Sequence, residues 1–319
     1  MSNFAVTSSP HLRDKATTQR IMMEVCLALA PAGIAGIILY GFNAALLIAI
    51  CVATCVLSEF VWQKATKQPV TIADWSAVVT GMLLAYNLPS SAPWWIAVVG
   101  SVIAIILVKQ MFGGIGSNFM NPALTARAIL FVSWSTIMAT YPTSILPDAV
   151  AGATPLNALK NVLAGKAEMA SLKFDWIDLL LGNHGGVLGE TCAIAIILGG
   201  VYLLIRGIAD WRIPVSFIVT TFVCFLIKDS AEMAVYQLLS GGLLLGAFFM
   251  ATDYATSPIT GKGRIVFGIG CGVLTVIFRY FGIYPEGVTY AILLMNAFVW
   301  VIDRYTAPRR FGVKKGGKA

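Results

Sequence analysis

The sequence predicts an all-α integral membrane protein of about ten transmembrane helices arranged as two inverted five-helix repeats, and three observations predict it. First, 58% of the 319 residues are hydrophobic and only 12% are charged, with a mean hydropathy of +0.82. A soluble domain cannot cover that much apolar side chain. Second, ten apolar stretches follow one another, each near the roughly 20 residues a helix needs to cross a bilayer. Third, the first five stretches and the last five echo each other, and an odd number of spans per half forces the second half to run inverted.

In order, the spans read as Met22–Tyr40, Asn43–Phe60, Asp74–Leu88, Trp94–Val108, Pro122–Thr140, Val187–Ile205, Ile213–Ile227, Val235–Met250, Ile265–Gly282 and Val288–Ile302. The third and seventh are short, which suits a broken, tilted or re-entrant segment. The first begins only after Arg13, Lys15 and Arg20 and has no small-residue cleavage site, so it reads as an uncleaved span. With the N-terminus inside, 17 of the 22 Lys and Arg residues fall at cytoplasmic ends and loops, Lys109 and Arg127 among them. Lys160, Lys166, Lys173, Lys228 and Arg279 remain outside, and Arg279 reads as a side chain that snorkels to the interface. This distribution obeys the positive-inside rule and places both termini in the cytoplasm. The net charge of +7 is therefore topology and not a nucleic-acid footprint.

The chain divides into a cytoplasmic N-terminus (1–20), a first half (21–140), an extracytoplasmic loop (141–186), a second half (187–303) and a basic cytoplasmic tail (304–319). EVCLALA at Glu24–Ala30 is echoed by ETCAIAI at Glu190–Ile196. Likewise the glycine-rich approach GGIGSNFMNPALTARAILF, Gly113–Phe131, is echoed by ITGKGRIVFGIG, Ile259–Gly270. Inverted repeats put functional sites near the midplane, where broken helices line them. Ionisable groups at that depth are costly and so are candidates for an ion path. Asp253, in MATDYATSP, stands first because the chain there looks like a broken helix end; Glu24 and Glu190 follow as the pair the repeat relates.

All six cysteines fall within spans and behave as small hydrophobes, although Cys51 and Cys55 share a helix face and could meet metal ligands from elsewhere. His11 and His184 have no metal-ligand spacing. No P-loop, nucleophile elbow or dinucleotide-binding glycine motif is present, so no catalytic residue is assigned.

The polar interval contains DAVAGATPL, Asp148–Leu156, followed by the helical LNALKNVLAG. Threonine is a good N-cap and proline suits the first helical position, so Thr154 can be an ordinary cap. The same geometry also suits a phosphate esterified to Thr154, because a helix N-terminus presents free amides. Ala151, Gly152 and Ala153 would leave the hydroxyl open to a modifying enzyme, and Asp148 could serve recognition or metal binding in that enzyme. Between two spans, Lys109–Ala128 carries Gly113, Gly114, Gly116, Asn118, Asn121 and Pro122, which suits either a tight turn or a re-entrant segment.

DAVAGATPL resembles the flavin-attachment motif shared by the D subunit of the Rnf complex and the B subunit of the sodium-pumping NADH:quinone reductase. SSPHLRDKATTQRIM (Ser8–Met22), KQMFGGIGSNFMNPALTARA (Lys109–Ala128), GAFFMATDYATSP (Gly246–Pro258) and PEGVTYAILLMNAFVWVIDRY (Pro285–Tyr305) resemble the same family in collinear order. The short N-terminus is more similar to the Rnf protein. The resemblance implies FMN on Thr154 through a phosphoester bond, installed by a flavin transferase outside the cytoplasm. It also implies a bacterial cytoplasmic membrane, partner subunits G, A and E, and electron flow between ferredoxin and NAD+ coupled to Na+ or H+ export. The reductase's B subunit also holds a non-covalent riboflavin, which implies Ser117, Asn118 and Asn121 as contacts for a second flavin. The family motif often has serine or threonine where this chain has Ala151. The other readings are a B-type subunit acting on quinone and a solute transporter or channel.

Overall fold

The computed structural model describes residues 16–141, 154–163, 165, 175–182, 184–282 and 286–308. Asp148, Ala151, Gly152 and Ala153 of the acceptor segment lie outside the described residues. Within them every regular element is helical, apart from an isolated antiparallel bridge between Pro89 and Val187. The first half contains α1 (Thr18–Tyr40), α2 (Phe42–Ala65), α3 (Ser76–Tyr86), α4 (Trp94–Phe112), α5 (Pro122–Ser133) and the single turn α6 (Ser135–Met138). Next come α7 (Pro155–Leu163) and α8 (Trp176–Leu181). The second half contains α9 (Ala193–Ile205), α10 (Arg212–Lys228), α11 (Ala231–Leu239), α12 (Leu243–Met250), α13 (Gly261–Phe281) and α14 (Val288–Thr306).

Each apolar stretch becomes helical, but they differ in reach. Among the described residues α1, α2, α4, α13 and α14 are long and apolar enough to cross a membrane, and α11 with α12 make a sixth candidate bent by 68°. The protein is thus a multi-pass membrane protein. The bend corrects the sequence reading, which expected a break in the third or seventh span. α10 runs unbroken from Arg212 to Lys228, and the break falls at Ser240–Gly242 in the eighth. The third stretch is short without being broken. The sixth is also shorter than expected, because helix begins only at Ala193 and leaves Glu190 in the preceding loop.

Local chemistry explains the boundaries. The Thr17 hydroxyl accepts from the Arg20 amide at 3.3 Å and starts α1. At its other end Gly41 adopts φ 72°, a conformation that costs glycine little, and the chain passes straight into α2. Eleven residues of α3 rise only about 16 Å, roughly half a hydrocarbon core, so its last carbonyls end inside the protein. They cannot stay unpaired there. The Leu188 and Gly189 amides supply the partners, donating to the Leu88 and Tyr86 carbonyls at 3.2 and 2.9 Å. Gly189 must be glycine for this approach, since a Cβ there would overlap the Tyr86 ring.

α1 packs on α3, α2 on α4 and α3 on α5; farther along the chain α9 packs on α12, α10 on α13 and α12 on α14. The halves join where α1 meets α9 and α5 meets α14. Leu29, Leu84, Ile96, Leu124, Phe217 and Phe267 fill the shared core. Leu27, Ile34, Ile38, Leu57 and Val61 point outward, as a lipid-facing surface requires.

Candidate functional site

The two glycine-rich approaches adopt one local design. A π-helical stretch lies near the end of α4 at Ile103–Lys109, and another makes up the latter part of α12 at Gly246–Met250. Each gives way to irregular chain and then to a helix capped by a side chain. Asn121 Oδ1 accepts from the Leu124 amide at 3.2 Å, and the Thr260 hydroxyl from the Gly263 amide at 3.0 Å. The irregular segments meet: the Asn121 amide donates to the Met250 carbonyl at 3.3 Å, and Asn118 and Asp253 line the same cavity.

Between these segments and α1 and α3 lies a cavity of about 370 Å³. Thr18, Val25, Leu83, Phe249 and Tyr254 give it apolar walls and a rim, and Thr80, Asn118, Asn121 and Asp253 give it polar groups. Ser117 is not among its lining residues; its side chain is exposed and its hydroxyl lies beside Gly113. Lys109 reaches the cavity but is committed elsewhere. Its ammonium donates to both Glu59 oxygens at 3.0 and 2.8 Å and to the Ser76 hydroxyl at 2.6 Å, all within the interior. Gln63 and Gln110 complete the Glu59 carboxylate. Lys109 is therefore half of a buried ion pair, not the loop charge its place at a span end suggested.

Glu24 and Glu190, the pair the repeat relates, sit in different surroundings. Glu24 bridges α1 to the end of α9, accepting from Arg206 at 2.5 and 2.8 Å and from Arg20 at 3.4 Å. Glu190 is buried in the loop that closes α3. Asp253 accepts from the Ala255 amide at 3.4 Å and the Thr256 hydroxyl at 3.1 Å, at the irregular helix end where the sequence placed it.

Thr154 stands immediately before α7 and is 7% exposed. Its hydroxyl accepts from the Asn157 amide at 3.3 Å, so the capping geometry is realised. α7 then packs on α11 and α13. Leu156 lies against Gly241, Leu159 joins Leu179, Met233 and Tyr236, and the Lys160 ammonium donates to the Gly282 carbonyl at 2.6 Å.

Sequence reasoning missed a cluster of buried charge beside this helix. Arg127 of α5 donates to Asn87 at 2.8 Å and to Thr289 at 3.1 Å, and forms an ion pair with Glu286. The Tyr141 hydroxyl donates to the other Glu286 oxygen at 2.9 Å. Arg279 of α13 does not snorkel. It is 2% exposed and donates to the Gln237 carbonyl, to Gln237 Oε1 at 2.9 Å and to the Ser240 carbonyl at 2.9 Å. The signal available was a lone arginine inside an apolar run, in LTARAILF and VIFRYF, where an ionisable group needs a partner.

Between α9 and α10, Asp210 pairs with Arg212 and Arg264. Partial burial works against its charge, but the Arg212 amide and the Arg264 guanidinium outweigh it and hold the carboxyl below the usual range.

The chain matches the NQR2, RnfD, RnfE family over residues 5–312. It is 49% identical over 316 residues to the D subunit of the Na(+)-translocating ferredoxin:NAD(+) oxidoreductase complex of Acetobacterium woodii, covering 98% of this chain and 96% of that protein. To the D subunit of the proton-translocating ferredoxin:NAD(+) oxidoreductase complex of Clostridium ljungdahlii it is 39% identical over 327 residues, covering 98% and 97%. To the D subunit of the ion-translocating oxidoreductase complex of Stutzerimonas stutzeri it is 38% identical over 335 residues, covering 95% of each. With matches that run nearly end to end on both sides, the chain belongs to the NQR2, RnfD, RnfE family.

Proposed function

We propose that this chain is the membrane flavoprotein subunit of an Rnf-type ion-translocating ferredoxin:NAD+ oxidoreductase, carrying electrons through FMN esterified to Thr154. The observation that carries the reading is the Thr154 hydroxyl at the head of α7. A phosphoester there meets the positive end of a nine-residue helix and the Asn157 amide, the donor set a phosphate needs. The residues present thus fit the group. Thr154 is buried, so the transferase must reach the hydroxyl before the segment takes its final packing. FMN would supply one- and two-electron chemistry; the chain's part is to hold it by its phosphate at a fixed place on α11 and α13.

The cavity between the repeat-related segments is the proposed place for a second, non-covalent flavin. Its volume lies in the range of small-molecule pockets, and apolar walls with a few polar groups suit a flat heteroaromatic ring. Asn118 and Asn121 can bond ring edges. Lys109 is already occupied by Glu59, which favours riboflavin over a phosphorylated flavin.

We read the repeated packing relations as two inverted halves of five segments each, in the bacterial cytoplasmic membrane with both termini cytoplasmic. Transport of Na+ or H+ by the assembled complex uses this chain together with subunits A, E and G, and Asp253 is the first ion-path candidate. The test is complementation of a complex lacking this protein. The wild-type chain restores ferredoxin-dependent NAD+ reduction; Thr154→Ala assembles and does not. Equal activity from the two chains refutes the proposal.

A further inference from the structure

A second feature beside α7 concerns protons. Glu190 is 5% exposed, and its Oε2 has no hydrogen-bonding partner. Such an oxygen costs free energy as a carboxylate unless something occupies it. Its neighbour is the break in the bent span: a Cβ on Gly242 would lie 3.3 Å from Oε2. The Ser240 hydroxyl in the same break is also buried without a partner. On the other side of the break, Leu156 lies 3.0 Å from where a Gly241 Cβ would be. Thr154, Leu156, Gly241, Gly242 and Glu190 therefore form one contiguous line from the acceptor threonine to an unpaired carboxylate oxygen.

The charges around Glu190 decide what can occupy it. Arg127 faces it from α5, Arg279 from α13, Glu286 from the head of α14, Tyr40 from the end of α1, and Tyr141 from the chain after α6. His184, on its own loop, is turned to the Gly185 carbonyl. A metal cation would sit beside two guanidinium groups; the Ser240 and Thr191 hydroxyls are free, but the Ser240 carbonyl is taken by Arg279 and the Glu286 carboxylate by Arg127 and Tyr141. A proton meets neither obstacle. With all four ionised, Arg127, Arg279, Glu190 and Glu286 sum to zero, so protonating Glu190 leaves one positive charge. That charge is favourable when a negative charge arrives nearby in a medium of low dielectric. A cavity of about 10 Å³ lined by Arg127, Glu286 and Thr289, the first two of which face Glu190, has room for roughly one water molecule.

We propose that Glu190 is a proton-binding group of this protein, taking up one proton from solvent at Oε2 when the group at Thr154 gains an electron and releasing it when that electron leaves. This rests on the reading of Thr154 as a flavin carrier. The step balances: an O–H bond forms on the carboxylate, the proton comes from water, and the electron comes from the reduced donor protein of the complex.

Redox-difference infrared spectroscopy of the assembled complex tests it. On reduction, the wild type gains a C=O band of a protonated carboxylic acid that shifts in D2O. Glu190→Gln lacks the band and Glu190→Asp keeps it at a displaced position. Gly242→Ala, which leaves the acid but crowds Oε2, displaces it. The Asp and Ala variants keep the test decisive if the Gln variant does not assemble. Absence of the band in the wild type, its survival in Glu190→Gln, or a response to Na+ without a D2O shift overturns the proposal. Flavin fluorescence of the denatured chain is read on the same samples. A fluorescent chain without the band sinks only the proton site, whereas a dark chain sinks the Thr154 reading and this proposal with it.

Discussion

Arg279 donates to the Ser240 carbonyl at 2.9 Å, at the point where the chain leaves α11 and begins again as α12. A helix end inside a membrane protein has carbonyls that neither water nor the helix can satisfy. Arg279 does for this end what the Leu188 and Gly189 amides do for α3. Replacing Arg279 with Met leaves the Gln237 and Ser240 carbonyls unpaired, with an expected loss of about 2–4 kcal/mol. Thermal unfolding of the detergent-solubilised complex checks this, and an unchanged midpoint would show that the break is held by other contacts.

Lys109 and Glu59 make a second test of buried charge. Lys109→Met strands the Glu59 carboxylate and is expected to cost about 3–5 kcal/mol, whereas Lys109→Met with Glu59→Gln recovers much of it. The comparison of single and double variants in the same unfolding assay measures the coupling. Additive losses would mean the pair is not the unit described.

How much of this was legible in one dimension follows from the same residues. Hydropathy located the long apolar helices, because Leu, Ile, Val and Ala runs need no partner to be recognised. It did not locate the break at Ser240–Gly242, where three small residues disappear into an apolar average. It also misread Lys109, Arg127 and Arg279 as loop or interfacial charges. Their partners lie 50, 159 and 42 positions away along the chain, and no local window contains them. Thr154 was legible as a cap because its partner is three residues on. Asn118 and Asn121 were legible as polar groups in a glycine-rich turn, but the cavity they share with Asp253 exists only once the two halves pack.

Close packing at the junction of the halves gives a steric prediction. A methyl group on Gly189 would overlap the Tyr86 ring, against backbone that also pairs with the Tyr86 carbonyl. Gly189→Ala is expected to lose about 1–3 kcal/mol from overpacking. Gly207→Ala, with open space but a positive φ, serves as the strained but uncrowded comparison. An unchanged midpoint for Gly189→Ala would show that the Tyr86 ring yields to the added methyl group.

Asp210 predicts an acid limb of stability. Its carboxyl is held below the usual range in the folded chain, so its contribution is fully present above the unfolded value of about 3.9 and is lost as pH falls through the lower folded value. Asp210→Asn should lower stability at neutral pH and flatten the profile in that acid range. A mutant profile parallel to the wild type would remove Asp210 from the account.

The measurement closest to the central claim is in-gel flavin fluorescence after denaturing electrophoresis, on the native chain and Thr154→Ala, each co-expressed with a flavin transferase. A fluorescent native band and a dark mutant band are expected at equal protein. A dark native band beside a fluorescent flavinylated control, or a mutant band as bright as the native one, would contradict it.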